Sequence, residues 1–288
     1  ADREIEAAIA ATGPVARIPR RAVAPDPRAA AVRADYLARL RVRFPGAPAA
    51  PVRIALTPMH GVGGALAVDA LAQAGFDDVH VVDAQYAPDP DFPTVAFPNP
   101  EEPGATDLLL ALAAEVDADL ALALDPDADR CAVGVRIGGR WRMLTGDETG
   151  ALLGDAVLDE CVGAEPAPVV ASSIVSGTLL HTLAAARGAD PRRTLTGFKW
   201  LVRAGEPLVY AYEEALGHCV DPQAVRDKDG ISAAVTLARI AAARASDGGL
   251  AGALAGLTAR YGPHLTAQRS LRLPDPADIA ALMSALRT

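Results

Sequence analysis

Short apolar runs alternate with helical segments along this chain, and the alternation occurs twice. Residues 52–56, 79–83 and 120–124 read as strands, with helices between them from 64 to about 74 and from 106 to about 116. That order is the grammar of a right-handed parallel α/β sheet. After Trp141 the pattern restarts. A helix is predicted over 147–161, a strand at 169–171, a helix opened by Ser176-Gly177 and running to 187, a strand at 208–212 and a helix over 231–245. Two α/β units follow, at 51–144 and 145–262. Before them, residues 1–50 hold a helix at 2–11, a Pro- and Arg-rich stretch and a second helix at 29–43, read as a linker or domain edge. After them, residues 263–288 carry an expected strand at 266–273 and a short helix past Pro276.

A chain of 288 residues suffices for two ordinary domains, and hydrophobic residues make up 51% of it. Aromatics are only 4%, so the core must be built from Ala, Val and Leu. The net charge of −9 argues against a nucleic-acid surface and against anionic membranes, while leaving room for a local basic pocket. Cys131, Cys161 and Cys219 are far apart and odd in number, which disfavours a disulfide framework or zinc site and fits a reducing compartment. No apolar run reaches membrane-spanning length and no signal segment opens the sequence, so a cytoplasmic protein is expected. The chain opens with Ala1 inside a helical pattern, as a piece of something longer would.

Residues 125–130 read Asp-Pro-Asp-Ala-Asp-Arg directly after the apolar run 120–124. Asp125, Asp127 and Asp129 alternate, and in a turning loop their side chains can converge. Three carboxylates that close repel unless a cation holds them, and oxygen-only ligands suit Mg²⁺ before Zn²⁺. A solvated acidic turn is the plainer alternative. Glu213-Glu214-Ala215-Leu216-Gly217-His218 follows another predicted strand, at the sheet edge where α/β proteins bind ligands. Its carboxylates can accept hydrogen bonds from sugar hydroxyls, and His218 can donate one. In Arg226-Asp227-Lys228-Asp229-Gly230, Asp229 is placed to cap the helix beginning near Ile231, with Arg226 and Lys228 beside a helix N-terminus that favours anions. Thr196-Gly197-Phe198-Lys199-Trp200 is a tight turn with a buried-looking aromatic on either side of Lys199. His60-Gly61-Val62-Gly63-Gly64 joins a strand to a helix without matching a P-loop, and its glycines suit close packing.

Taken in order, these segments resemble the α-D-phosphohexomutases, the phosphoglucomutase and phosphomannomutase family. The likeness runs from Thr57-Pro58-Met59-His60-Gly61-Val62-Gly63 through Phe97-Pro98-Asn99-Pro100-Glu101-Glu102-Pro103-Gly104 and the acidic loop. It continues through Gly146-Asp147-Glu148, Thr196-Gly197-Phe198-Lys199, residues 213–218 and Arg226-Asp227-Lys228-Asp229-Gly230. The resemblance implies two consecutive mixed/parallel three-layer α/β domains, the family's metal-binding second domain and sugar-binding third. Residues 1–50 would be a remnant of the first domain, and 263–288 the start of a truncated fourth. It further implies that Asp125, Asp127 and Asp129 hold Mg²⁺, that Arg130 stands beside the transferring phosphoryl group, and that Lys228 is an acid/base near the reacting hydroxyl. Thr196, Gly197, Lys199, Glu213, His218 and Arg226 would bind the substrate. The implied activity interconverts hexose 1-phosphate and hexose 6-phosphate through a phosphoserine, with hexose 1,6-bisphosphate as intermediate and activator.

Two departures stand out. Ala215 occupies a position where the family often has Ser, and the family's phosphoserine loop is missing: no Ser here precedes His, and Asn99 is the only Asn. These 288 residues are therefore expected to fold but not to turn over alone, with Ser176 as the fallback phosphoryl carrier. Two other readings remain open at this point, a non-catalytic metal- and sugar-phosphate-binding module and a phosphatase using an Asp nucleophile.

Overall fold

A computed structural model describes residues 2–267, 271, 273–275 and 277–287. By its contacts the chain divides into a small unit, residues 1–38, and a large one, residues 39–288. The small unit holds α1 (Asp2–Thr12), a 3-10 turn and most of α2 (Ala29–Arg43). Both sheets lie in the large unit.

The first sheet is built from β1 (Ile54–Thr57), β2 (Val79–Val81), β3 (Leu120–Leu124), β4 (Cys131–Ile137) and β5 (Arg140–Met143), in the order β2-β1-β3-β4-β5. β2, β1 and β3 run parallel; β4 is antiparallel to β3, and β5 to β4. α3 (Gly64–Gln73), the short α4 (Asp83–Tyr86) and α5 (Asp107–Glu115) supply the crossovers. Every residue of β3 is buried, which its Leu-Ala-Leu-Ala-Leu sequence permits because both faces are apolar. Ala121 and Ala123 cluster with Leu109 and Ala113 of α5. The small alanines let α5 approach closely, and this cluster is filled without a buried aromatic.

The second sheet joins β6 (Val169–Ser173), β7 (Asp190–Thr194), β8 (Leu208–Glu213) and β9 (Gly217–Cys219) in the order β7-β6-β8-β9, with β9 antiparallel. Between its strands run α7 (Leu179–Ala186) and the short α8 (Phe198–Leu201). α6 (Gly146–Glu160) packs on β8 and α7. It opens with a capping box in which Thr145 and Glu148 exchange hydrogen bonds. Gly146, Gly150 and Gly154 form one stripe of this helix. A Cβ at Gly150 would enter the Tyr212 ring, and one at Gly154 would meet Leu180 and Tyr210. The stripe lets α6 lie against the two largest buried side chains.

α9 (Gly230–Ala243) is buried nearly all round, as its Ala-rich sequence allows. The sequence reading assigns this helix to the second unit, yet it packs against α3, β3 and β4 of the first sheet as well as α6. It thus fixes the two sheets to each other. α10 (Gly249–Tyr261) packs on α9, and α11 (Ala277–Ala285) is the expected helix after Pro276. At the expected strand 266–273, residues 266, 267, 271 and 273 form no strand; residues 268–270 and 272 lie outside the described residues. No helix among the described residues is long and apolar enough to cross a membrane.

Candidate functional site

β3 ends in the acidic loop. The Asp125 carbonyl accepts the Ala128 N–H at 2.9 Å, and Ala128 takes a left-handed φ of 60°. This turn gathers the three carboxylates: Asp125, Asp127 and Asp129 each offer an oxygen within 4.8 Å of the others. Asp125 is buried and accepts two bonds from Arg130, from its backbone N–H at 3.0 Å and from Nε at 2.6 Å. Burial pushes the Asp125 carboxyl up, the Arg130 bonds pull it back, and the net direction is upward. An all-oxygen donor set of this kind fits a hard divalent cation.

The loop is held from both sheets. On one side the Val62 N–H donates to the Pro126 carbonyl at 2.9 Å, with Gly61 lying directly against Pro126. On the other, the Gly230 N–H donates to the Ala128 carbonyl at 3.1 Å. The glycines of the His60–Gly64 loop therefore serve close packing, as their spacing suggests, but against the acidic loop rather than only between strand and helix.

The β8–β9 turn joins the same place. The Cys131 N–H donates to the Leu216 carbonyl at 3.2 Å, and Arg130 bridges to Gly217. Glu213 then faces the carboxylates across an open cleft of about 760 Å³, which Asp127, Asp129, Arg130 and Lys228 also line. Lys228 reaches it from the residues preceding α9, with Nζ 2.6 Å from Asp129 Oδ2. Burial alone would lower the Lys228 ammonium, but the bond to Asp129 and the surrounding acids raise it on balance, so it stands charged. Asp229 caps α9 as expected, accepting the Ile231 and Ser232 N–H groups at 3.1 Å each. Gly197, at φ 112°, donates its N–H to Glu213 Oε1 at 2.5 Å, and so fixes that carboxylate. A cavity of similar size, about 780 Å³, lies among α6, α9 and α10. Its Arg187 pairs with Asp155 and Asp159, whereas the 760 Å³ cleft is the one lined by the clustered carboxylates of Asp125, Asp127 and Asp129.

Four expected substrate contacts are not brought to this cleft. His218 is fully buried, stacked on Tyr212 at 6.2 Å with Nδ1 3.2 Å from the Tyr210 hydroxyl. It pairs with Tyr212 across β8–β9, whereas Glu213 pairs with Gly217, so the two side chains take opposite faces. Arg226 turns to the Val202 carbonyl and Glu206 instead of the α9 N-terminus. Lys199 is exposed, its Nζ 5.6 Å from the Trp200 ring; of the two aromatics flanking it only Phe198 is buried. Thr196 is exposed beside Gly197 and outside the cleft lining. Glu214 also parts from Glu213, accepting hydrogen bonds from Ser173 and Ser176 at 2.9 and 2.8 Å. Ser176 is thereby buried and engaged in structure, not poised as a phosphoryl carrier.

Burial drives the His218 imidazole down to about 3. It is neutral in the fold and free to protonate only when unfolded. The unfolded chain binds more protons below about pH 6.5, so stability falls as pH drops from there toward 3. Between about pH 6 and 4 the wild type is expected to lose about 1.4 kcal/mol per pH unit relative to His218→Gln. Urea titrations at a series of pH values measure this; parallel curves for the two proteins would mean His218 is not held neutral.

Two family models cover this architecture. One, described as phosphoglucomutase/phosphomannomutase, alpha/beta/alpha domain II, matches residues 34–138; its domain III counterpart matches 145–261. The chain belongs to the phosphoglucomutase/phosphomannomutase family. A probable phosphomannomutase of Haemophilus influenzae is 41% identical over 242 residues, covering 83% of this chain and 49% of the relative. A probable phosphoribomutase of Schizosaccharomyces pombe is 37% identical over 249 residues, covering 82% of this chain and 42% of the relative. The crystal structure of a family protein from Burkholderia thailandensis superimposes with a TM-score of 0.65 at 21% identity. That match covers 78% of this chain and 46% of that one, and it shares the fold. The chain spans about half the length of the curated relatives it matches.

Proposed function

We propose that this chain forms the metal- and sugar-binding centre of a phosphohexomutase, interconverting hexose 1-phosphate and hexose 6-phosphate. The observation that carries the reading is the meeting of Asp125, Asp127, Asp129, Arg130, Glu213 and Lys228 in one cleft. Asp125, Asp127 and Asp129 would hold Mg²⁺, which when bound neutralises charge on a transferring phosphoryl group. Arg130 offers its guanidinium to the phosphoryl oxygens. Glu213 accepts sugar hydroxyls, its position fixed by the Gly197 N–H. Lys228 presents an ammonium near the reacting oxygen. The phosphoryl group itself would come from a phosphoserine, move to a hydroxyl of the sugar monophosphate to give a hexose 1,6-bisphosphate, and return from the other end. No serine among the seven in this sequence matches that loop. The chain's own residues contribute position and electrostatics.

A pentose phosphate is the second substrate class. A phosphoribomutase stands among the relatives, and Ala215 at the cleft removes a hydroxyl that could serve a larger sugar. A coupled assay of the native protein with glucose 1-phosphate, mannose 1-phosphate and ribose 1-phosphate separates the two. With the preferred substrate, Glu213→Gln is expected to lose about 1–1.5 kcal/mol of binding, the difference between a charge-assisted bond and a neutral one. Unchanged kinetics in that variant would move the sugar site elsewhere.

A further inference from the structure

Arg130 is gripped on two edges. Its Nε donates to Asp125 Oδ2 at 2.6 Å, from inside the acidic loop. Its Nη1 donates to Asn99 Oδ1 at 3.2 Å, from the Pro-rich segment between α4 and α5, and lies 3.9 Å from Glu101. Nη2 donates to no protein atom among the described residues, and Arg130 lines the cleft. A planar guanidinium held at Nε and Nη1 has no freedom left to rotate.

Asn99 is built to provide that grip. Pro98 and Pro100 flank it, each with a fixed φ, and Pro100 is buried. Its Oδ1 also accepts the Glu101 N–H at 3.2 Å, closing an Asx turn, and its own N–H donates to the Phe97 carbonyl at 2.9 Å. The amide oxygen that meets Arg130 is therefore set by the backbone before any ligand arrives.

We propose that Asn99 is a positioning residue for phosphoryl transfer, aiming the Nη2 edge of Arg130 into the cleft. The inference rests on the role given to Arg130 above. Misplacing a reacting group by about an ångström can lower a rate by about 100-fold.

The test uses the native protein with its best sugar phosphate. Asn99→Ala is expected to lower kcat by about 10- to 100-fold with KM changed less than about 3-fold. Asn99→Asp, which keeps an oxygen at the same place, should stay within about 3-fold of wild type. In an Arg130→Ala background, adding Asn99→Ala should have no further effect. Wild-type kcat in Arg130→Ala would overturn the reading of Arg130 itself. A large loss in Arg130→Ala with none in Asn99→Ala would overturn only the positioning role. So would an equal loss from Asn99→Ala in both backgrounds, or a loss above about 10-fold in Asn99→Asp.

Discussion

Asp127→Ala is expected to abolish Mg²⁺ binding while changing folding stability by less than about 0.5 kcal/mol, because Asp127 is exposed. Asp125→Ala is expected to abolish binding and also to destabilise the protein. Asp125 is buried and carries both Arg130 bonds, so its loss leaves a half-buried guanidinium with one anchor fewer. Breaking a buried pair in this way costs roughly 2–3 kcal/mol when one partner keeps some contact with water. The pair of variants thus separates ligation from architecture, which a single alanine substitution cannot do. Titration calorimetry with Mg²⁺ and urea unfolding in the presence of a chelator measure the two effects. Equal Mg²⁺ binding by wild type and Asp127→Ala would sink the metal assignment. Equal stability of the two variants would instead move the anchor of Arg130 away from Asp125.

How much of the molecule is legible in its sequence differs from element to element, for physical reasons. The acidic loop is legible because its ligands are neighbours in sequence and follow a run whose burial is unmistakable. Asp229 is legible because capping is a local interaction. β4 escapes notice because Gly134 interrupts its apolar run, and β5 because Arg140-Trp141-Arg142-Met143 is a polar edge strand. β7 hides for the same reason: Asp190-Pro191-Arg192-Arg193-Thr194 carries the charge and proline that protect a sheet edge. His218 is misplaced by proximity in sequence. Close to Glu213 along the chain, it lies on the other face of the hairpin, and only the register reveals that. Asn99 belongs to a recognisable motif, but its partner lies 31 positions away and nothing local indicates the pairing.

Gly61→Ala and Gly230→Ala should each weaken Mg²⁺ binding without touching a ligand. A Cβ at Gly61 would stand 2.5 Å from the Pro126 Cα, and one at Gly230 would stand 2.5 Å from the Arg130 carbonyl oxygen and 2.7 Å from that of Ala128. All of these are backbone atoms, which cannot swing aside as a side chain can. Either methyl must push the acidic loop away from its support or forfeit a loop hydrogen bond, Val62 to Pro126 or Gly230 to Ala128. Overpacking of this kind costs about 1–3 kcal/mol. Neither glycine has positive φ, so the demand is for closeness of approach and not for an unusual backbone. Gly256 supplies the control: it lies in α10, where an added methyl would meet nothing within 4 Å. Gly256→Ala should therefore stabilise by about 0.5–1 kcal/mol. Thermal unfolding and Mg²⁺ titration of the three variants give the answer. Wild-type Mg²⁺ affinity in both Gly61→Ala and Gly230→Ala would mean that the loop does not depend on its clamps. Loss in one alone would show which sheet sets the carboxylates, since Gly61 follows β1 of the first and Gly230 follows β9 of the second.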